Sequence, residues 1–294
     1  MKRAGFYIFF VFNYIITLLP LRVLYLLSDF FYVVIYYIAG YRRRVVEQNL
    51  RNAFPEKSPE ELRKIEKGFY RHLCDIIVET LKITHMSPEE ISRRFNPGDI
   101  SAVERLYREG RDIVALCSHY NNWEWYAAIQ LATSHKITTI YKPLTNKYFD
   151  RFILGLRTKY GVTATPMQNI LRELVRFRQE NVRTMSGFIA DQTPPRGDKS
   201  YWTTFLNQET GFFRGAEKIA VKYDMPVVFV NIVKVRRGYY TLVYKVITEH
   251  PKDEAPDYIT SRYAELLEEV IRSKPEFWLW SHRRWKYKKN LENG

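Results

Sequence analysis

Apolar residues dominate the first forty positions of the chain. No residue from Ala4 to Leu19 carries a charge, and a second apolar run over residues 23–40 is broken only by Ser28-Asp29. Arg22 and Asp29 are the two charges within residues 4–40, while Lys2-Arg3 precede that stretch and Arg42-Arg43-Arg44 follow it. A cleaved leader fits poorly, because the stretch is too long and meets no small-residue cleavage site. A single spanning helix needs about 20 apolar residues, and Pro20 stops the first run short of that. The pattern therefore predicts two helices bent at Pro20. They would attach to a membrane in-plane or re-entrantly, with both basic ends on the same side. A buried helix pair within an ordinary core is the alternative.

Beyond residue 41 the periods change. Val45, Val46, Leu50 and Phe54 recur at helical spacing until Pro55. Ser58-Pro-Glu-Glu61 and Ser87-Pro-Glu-Glu90 both read as helix starts, with Ser at the N-cap, Pro at the first helical position and Glu three residues after the cap. The first of these helices should run towards Leu81. After Gly110 the apolar runs become short. Residues 112–118 (DIVALCS), 136–141 and 185–190 have the length of buried strands. Residues 227–234 and 239–247 form a hairpin around Arg236-Arg237-Gly238. Residues 123–132, 169–179, 216–222 and 259–273 read as helices. This alternation predicts an α/β fold with a mixed, largely parallel sheet flanked by helices. The expected organisation is an apolar membrane-associated segment, 1–41, and a main domain, 42–294.

Composition narrows the function classes. With 46% hydrophobic and 16% aromatic residues the 294-residue chain is not disordered, and its 13 Gly and 13 Pro do not make a low-complexity chain. Two cysteines, Cys74 and Cys117, exclude a disulfide framework and a four-cysteine zinc site. The net charge is +14, of which +12 lies after residue 40, and it calls for an anionic partner. No phosphate-binding loop, dinucleotide fingerprint, HExxH pair or GxSxG elbow is present. No metal requirement is expected.

One constellation stands out: a histidine and an acid five residues apart in His119-Tyr-Asn-Asn-Trp-Glu124. Chance supplies about one such pair in a chain of this composition, and His85 with Glu90 is a second. His85 precedes a helix start and reads as a loop residue. His119 follows a buried strand and precedes a helix, where the carboxyl ends of parallel strands place active sites. Within one helix the two residues would face different ways. They meet only if His119 lies in the turn and Glu124 in the first helical turns. A carboxylate on one imidazole nitrogen would free the other as a general base. On the residues alone, a core or capping His119 is an equal reading. Cys117 shares a strand face with His119, so a Cys–His pair is conceivable, but a small buried hydrophobe is the plainer reading.

Several blocks in order resemble the late acyltransferases of lipid A biosynthesis, the lauroyl/myristoyl transferase family within the lysophospholipid and glycerophosphate acyltransferases. Arg44-Val-Val-Glu-Gln-Asn-Leu-Arg-Asn-Ala-Phe-Pro55 is similar to the family's early helix. Ser118-His-Tyr-Asn-Asn-Trp-Glu-Trp125 is similar to its HxxxxD/E block. Tyr141-Lys142-Pro143 with Asn146 resembles a Tyr-Arg-Pro…Asn block, with Lys in place of Arg. Arg157…Gly161, Ala190-Asp191-Gln192 and Phe277-Trp-Leu-Trp-Ser-His-Arg-Arg-Trp-Lys286 resemble the later segments. The chain departs from the family's Phe-Phe-Gly after the Asp-Gln block, reading Phe205-Leu206-Asn207 and then Thr210-Gly-Phe-Phe-Arg-Gly215. The substrate groove near residues 205–215 is therefore expected to differ.

The resemblance implies transfer of an acyl group from an acyl carrier protein or coenzyme A thioester, as co-substrate, to a lipid hydroxyl. His119 would be the general base and Glu124 its orienting, charge-stabilising partner. Lys142, Arg157 and Arg214 would hold anionic groups, and Asp191 with Gln192 would complete the site by bonding substrate or His119. Acyl carrier protein, a phosphorylated lipid and the cytoplasmic face of a bacterial inner membrane would be the partners. Other lipid acceptors and a noncatalytic lipid-binding protein are the rival readings. The run from His282 to Lys289 mixes five Lys/Arg with aromatics. Beside an apolar N-terminus it suits an anionic membrane surface better than nucleic acid.

Overall fold

The computed structural model describes residues 2–195 and 200–289. Helices α1 (Lys2–Ile16) and α2 (Leu21–Tyr32) are followed by a π-helical segment, Val33–Ile38, and by α3 (Arg43–Ala53), α4 (Pro59–Lys82) and α5 (Pro88–Arg94). Next come β1 (Phe95–Asn96), α6 (Ser101–Arg108), β2 (Ile113–Cys117), a 3₁₀ helix (Trp123–Leu131), β3 (Lys136–Tyr141), α7 (Lys147–Thr158), β4 (Thr163–Pro166), α8 (Ile170–Gln179) and β5 (Thr184–Ile189). The chain then runs through β6 (Tyr201–Phe205), β7 (Gln208–Phe212), α9 (Gly215–Tyr223), β8 (Val227–Arg236), β9 (Tyr239–Thr248) and α10 (Tyr258–Ser273).

Among the described residues, seven strands form one sheet in the order β1-β9-β8-β2-β5-β3-β4. Every pairing is parallel except β8 with β9. The expected α/β class, with its largely parallel sheet, is the one observed. β2 is buried along its whole length. Its alternate residues feed two cores, Val114 and Leu116 on one face and Ile113, Ala115 and Cys117 on the other. Both helix starts form as the sequence predicts. The Ser58 hydroxyl accepts from the Glu61 N–H while Glu61 accepts from the Ser58 N–H, and the Ser87 hydroxyl accepts from the Glu90 N–H.

Several elements escaped the sequence pattern, β1 among them. α6 and α7 are short helices, and β4 is a four-residue strand ending in proline. The β6–β7 hairpin turns at Leu206-Asn207, both with positive φ (49° and 59°), which Leu rarely adopts. The stretch expected to be groove is largely this hairpin. Phe205, Leu206 and Phe212 enter the core, and Phe213 alone of 205–215 reaches the cavity described below.

The N-terminal helices bend at Pro20 and lie along the domain. Their inner side packs apolar residues, Leu21 and Leu24 in a core and Phe6 and Phe9 against the aromatics of α7, and adds a set of polar contacts. Asn13 donates to Thr84, Lys82 Nζ donates to the Thr17 and Leu19 carbonyls, and Ser28 donates to Asp75 at 2.8 Å. Arg237 bridges Asp29 and Asp75. Tyr32 and Tyr36 belong to the main core. The outer side is apolar and open: Ile8, Phe12, Ile15, Leu26, Phe30 and Ile38 are all more than half exposed. The boundary expected at 41/42 falls in the turn before α3.

The C-terminal basic run is only partly a surface. Arg284 is buried, donates to the Gly211 carbonyl at 2.6 Å and lies over the Phe212 ring. Trp278 and Trp280 are core residues, and the Trp285 indole donates to Thr210. Arg283, Lys286, Lys288 and Lys289 keep to the outside.

Candidate active site

β2 and β5 are neighbours in register, with Cys117 opposite Ile189. Two residues beyond each of these, the same register brings His119 against Asp191. The imidazole Nδ1 lies 2.7 Å from Asp191 Oδ1. The His119 backbone N–H and the Trp278 indole both donate to Oδ2 at 2.9 Å. Asp191 is 2% exposed. Burial by itself would raise its carboxyl; the His119 charge and these three hydrogen bonds outweigh that and hold it below the usual carboxylate range. A carboxylate at Nδ1 requires the proton on Nδ1, so Nε2 presents its lone pair. The Gln192 side-chain nitrogen is 3.3 Å from Nε2. Trp123 meets the imidazole edge-on at 5.3 Å between centroids.

The expectation that Glu124 orients His119 is corrected by this geometry, because Asp191 occupies Nδ1. Glu124 instead receives both arms of Arg157, Nε at 2.8 Å and Nη2 at 2.6 Å, and the Trp123 indole at 3.2 Å. The physical reason is that strand register delivers Asp191 directly beside His119, whereas Glu124 starts a 3₁₀ helix facing α7. Asn146 caps α7, its side chain accepting from the Tyr148 N–H, and so helps to set Arg157.

Of the other expected site residues, Lys142 and Gln192 line the same cavity as His119, Glu124 and Arg157. Arg214 does not: it precedes α9 and pairs with Asp257. Its expected contact with substrate is therefore replaced by an ion pair within the protein. Cys117 is a cavity-wall residue. Burial, helped by the Asp191 charge, pushes its thiol up to about 12, which argues against a thiolate nucleophile.

The cavity holds about 610 Å³ and runs inward from His119. Its floor is one face of the sheet, including Ala115, Cys117, Met185, Gly187 and Ile189. Its roof is the 3₁₀ helix, where three residues per turn align Trp123, Tyr126 and Ile129 on one side. Gly187 keeps the floor open, since a Cβ there would meet nothing closer than the Thr138 carbonyl at 3.6 Å.

Sequence reading missed two supports. Trp278 was seen only as part of a block, yet it binds the buried carboxylate. Glu79, fully buried in α4, accepts from Asn122 at 2.6 Å, Tyr25 at 2.7 Å and Tyr240 at 2.8 Å. It thereby fixes the turn between His119 and Glu124, and Asn121, at φ 51°, fixes the same turn through the Ile232 carbonyl. Acids amid the apolar positions of α4, Asp75 and Glu79, were the available signal.

The family model for bacterial lipid A biosynthesis acyltransferases matches residues 1–287. Among curated proteins, the lipid A biosynthesis palmitoleoyltransferase of Escherichia coli (strain K12) is 21% identical over 247 residues, covering 83% of this chain and 79% of that protein. The lipid A biosynthesis acyltransferase of Shigella flexneri matches with the same identity and coverage.

Proposed function

This chain belongs to the bacterial lipid A biosynthesis acyltransferase family, and on that premise we propose that it moves a fatty acyl chain from an acyl carrier protein or coenzyme A thioester to a hydroxyl of a lipid A precursor. The observation that carries this reading is a histidine with a buried carboxylate partner at the mouth of an apolar cavity. The acyl chain lies in the cavity with its thioester carbonyl at His119. Nε2 takes the proton of the acceptor hydroxyl as its oxygen attacks that carbonyl. Asp191 holds the tautomer and stabilises the imidazolium, as a carboxylate does in hydrolytic triads. The tetrahedral adduct collapses, the carbon–sulfur bond breaks, and the proton passes to the leaving thiolate. No covalent enzyme intermediate and no metal or cofactor takes part. The Gln192 amide faces the reacting atoms, and the Glu124–Arg157 pair with Lys142 presents positive charge to an anionic substrate group.

The exposed apolar side of α1 and α2 suits in-plane attachment to the cytoplasmic face of the inner membrane. Residues 21–38 are long and apolar enough to cross a bilayer. The polar contacts of α2 with α4 and Arg237 favour a helix lying on the surface, since crossing would strip them.

Transfer assays with purified protein, acyl carrier protein thioester and lipid A precursor test the proposal. His119→Ala should lower turnover by about 10²–10⁴-fold. A wild type that acylates no lipid, beside a His119→Ala variant that still supports the cellular role, overturns catalysis. Mass spectrometry of lipids from cells lacking the protein tests the acceptor: unchanged lipid A moves the activity to another lipid.

A further inference from the structure

Transfer to a lipid brings two apolar molecules to one imidazole. The cavity behind His119 serves the chain being moved, and the acceptor brings chains of its own. A second concavity, an open groove of about 520 Å³, lies between the N-terminal segment, α4 and residues 279–282. Ile35 and Ala39 from the π-helical end of the N-terminal segment form one wall, Leu73 and Ile77 of α4 another, and Leu279 the inner end. Leu73 and Leu279 also pack towards Trp123, which lines the main cavity, in a closed contact that leaves no room for a water molecule. The Leu279 N–H donates to the His119 carbonyl at 3.1 Å, so the groove's inner end is joined to the catalytic turn.

The outer end opens beside Tyr37, Ile38 and Tyr41, all exposed. That is the end of the apolar face assigned above to the membrane surface, so a lipid can enter sideways without crossing water. At the groove sits one cationic side chain, Arg42, held by a bond from Nη1 to the Ser281 carbonyl at 2.9 Å. Arg43 and Arg44 adjoin it in sequence. His282, which also lines the groove, is turned to Thr193.

We infer that this groove is the acceptor subsite: it seats acyl chains of the phosphorylated acceptor lipid, and Arg42 binds an anionic group of that lipid. The inference rests on the acyl-transfer reading above. The donor and the acceptor then approach His119 separately, one from the sheet side and one from the membrane side.

Steady-state kinetics on the full-length protein with phosphorylated lipid A precursor in mixed micelles test this. Ala39→Trp, an exposed position that fills the groove, should raise the acceptor KM by about tenfold and leave the donor KM within about twofold. Arg42→Gln should raise KM by about tenfold for the phosphorylated acceptor and spare a dephosphorylated one. Wild-type turnover combined with unchanged acceptor KM in both variants overturns the subsite. So does a rise in donor KM alone, which would make the groove a donor site. Weaker vesicle binding with unchanged acceptor KM also overturns it, marking a seat for bulk membrane lipid. A wild type inactive on this acceptor removes the functional reading and the subsite together.

Discussion

Asp191 concentrates much of the site's electrostatics in one buried carboxylate. Three donors converge on it, two of them from His119 itself. Asp191→Asn keeps the shape but no longer fixes the Nδ1 proton or balances the imidazolium. Turnover should fall by about 10²–10⁴-fold with KM little changed; a loss confined to KM would make Asp191 a binding residue instead. His282 gives a pH signature at the same scale. Burial lowers its pKa from 6.5 to about 4. Between those values the unfolded chain binds a proton that the folded chain refuses, so its contribution is intact above 6.5 and lost as pH falls towards 4. Asp191, with its carboxyl held below 3.8, adds a loss of its own only at more acidic pH. Tm should drop on acidification through that window, and His282→Gln should flatten part of the slope in a melting series. Sequence displayed His119 by its position after a strand, but Asp191 was visible only through the resemblance. Its partnership needs β5 to slot in beside β2 although β3 follows β2 in the chain.

At the scale of elements, α2 has two different sides. One is tied to α4 by Tyr25–Glu79 and Ser28–Asp75 and to the β8–β9 turn by Asp29–Arg237. The other presents Leu26 and Phe30 to the outside, continued by Ile38 of the π-helical segment. On the attachment proposed above, one side packs and the other meets the membrane. Leu26→Glu with Phe30→Glu should cut binding to anionic vesicles by about tenfold or more, through lost apolar insertion and added negative charge, while the Tm of the purified protein stays within about 2 °C. A coupled fall in Tm would mean that these residues pack rather than insert. The apolar run and its bend at Pro20 were legible in the sequence. The polar seam was not, because Asn13, Ser28 and the exposed Asp29 find their partners in α4, its adjoining residues and a distant hairpin.

Across the whole molecule, the cavity exists because the sheet carries small residues beneath the 3₁₀ roof. Ala115 and Gly187 come from β2 and β5, and neither would be singled out from its own segment. Gly187→Val should fill part of the floor and shift donor preference towards shorter acyl chains, read as a ratio of kcat/KM for long against short thioesters. An unchanged ratio would place the chain elsewhere. The +14 charge also reads differently in the fold. Arg284 is inside the core, where burial lowers its pKa to about 10, and Arg214, Arg157 and Arg237 are ion-paired. Part of the basic excess is therefore engaged within the protein, while Lys142, Arg44 and the exposed part of the C-terminal run stay on the surface.

The sequence by itself determined most of the elements, the α/β class and the turn bearing His119. Helical and strand periods, caps and a strand-to-helix boundary are local, written within a few residues of one another. Tertiary structure alone decided that Asp191 rather than Glu124 holds the imidazole, that Glu124 holds Arg157, and that Arg214 stands apart. Each of those contacts joins segments whose adjacency follows from strand order and register, and strand order is a property of the packed sheet.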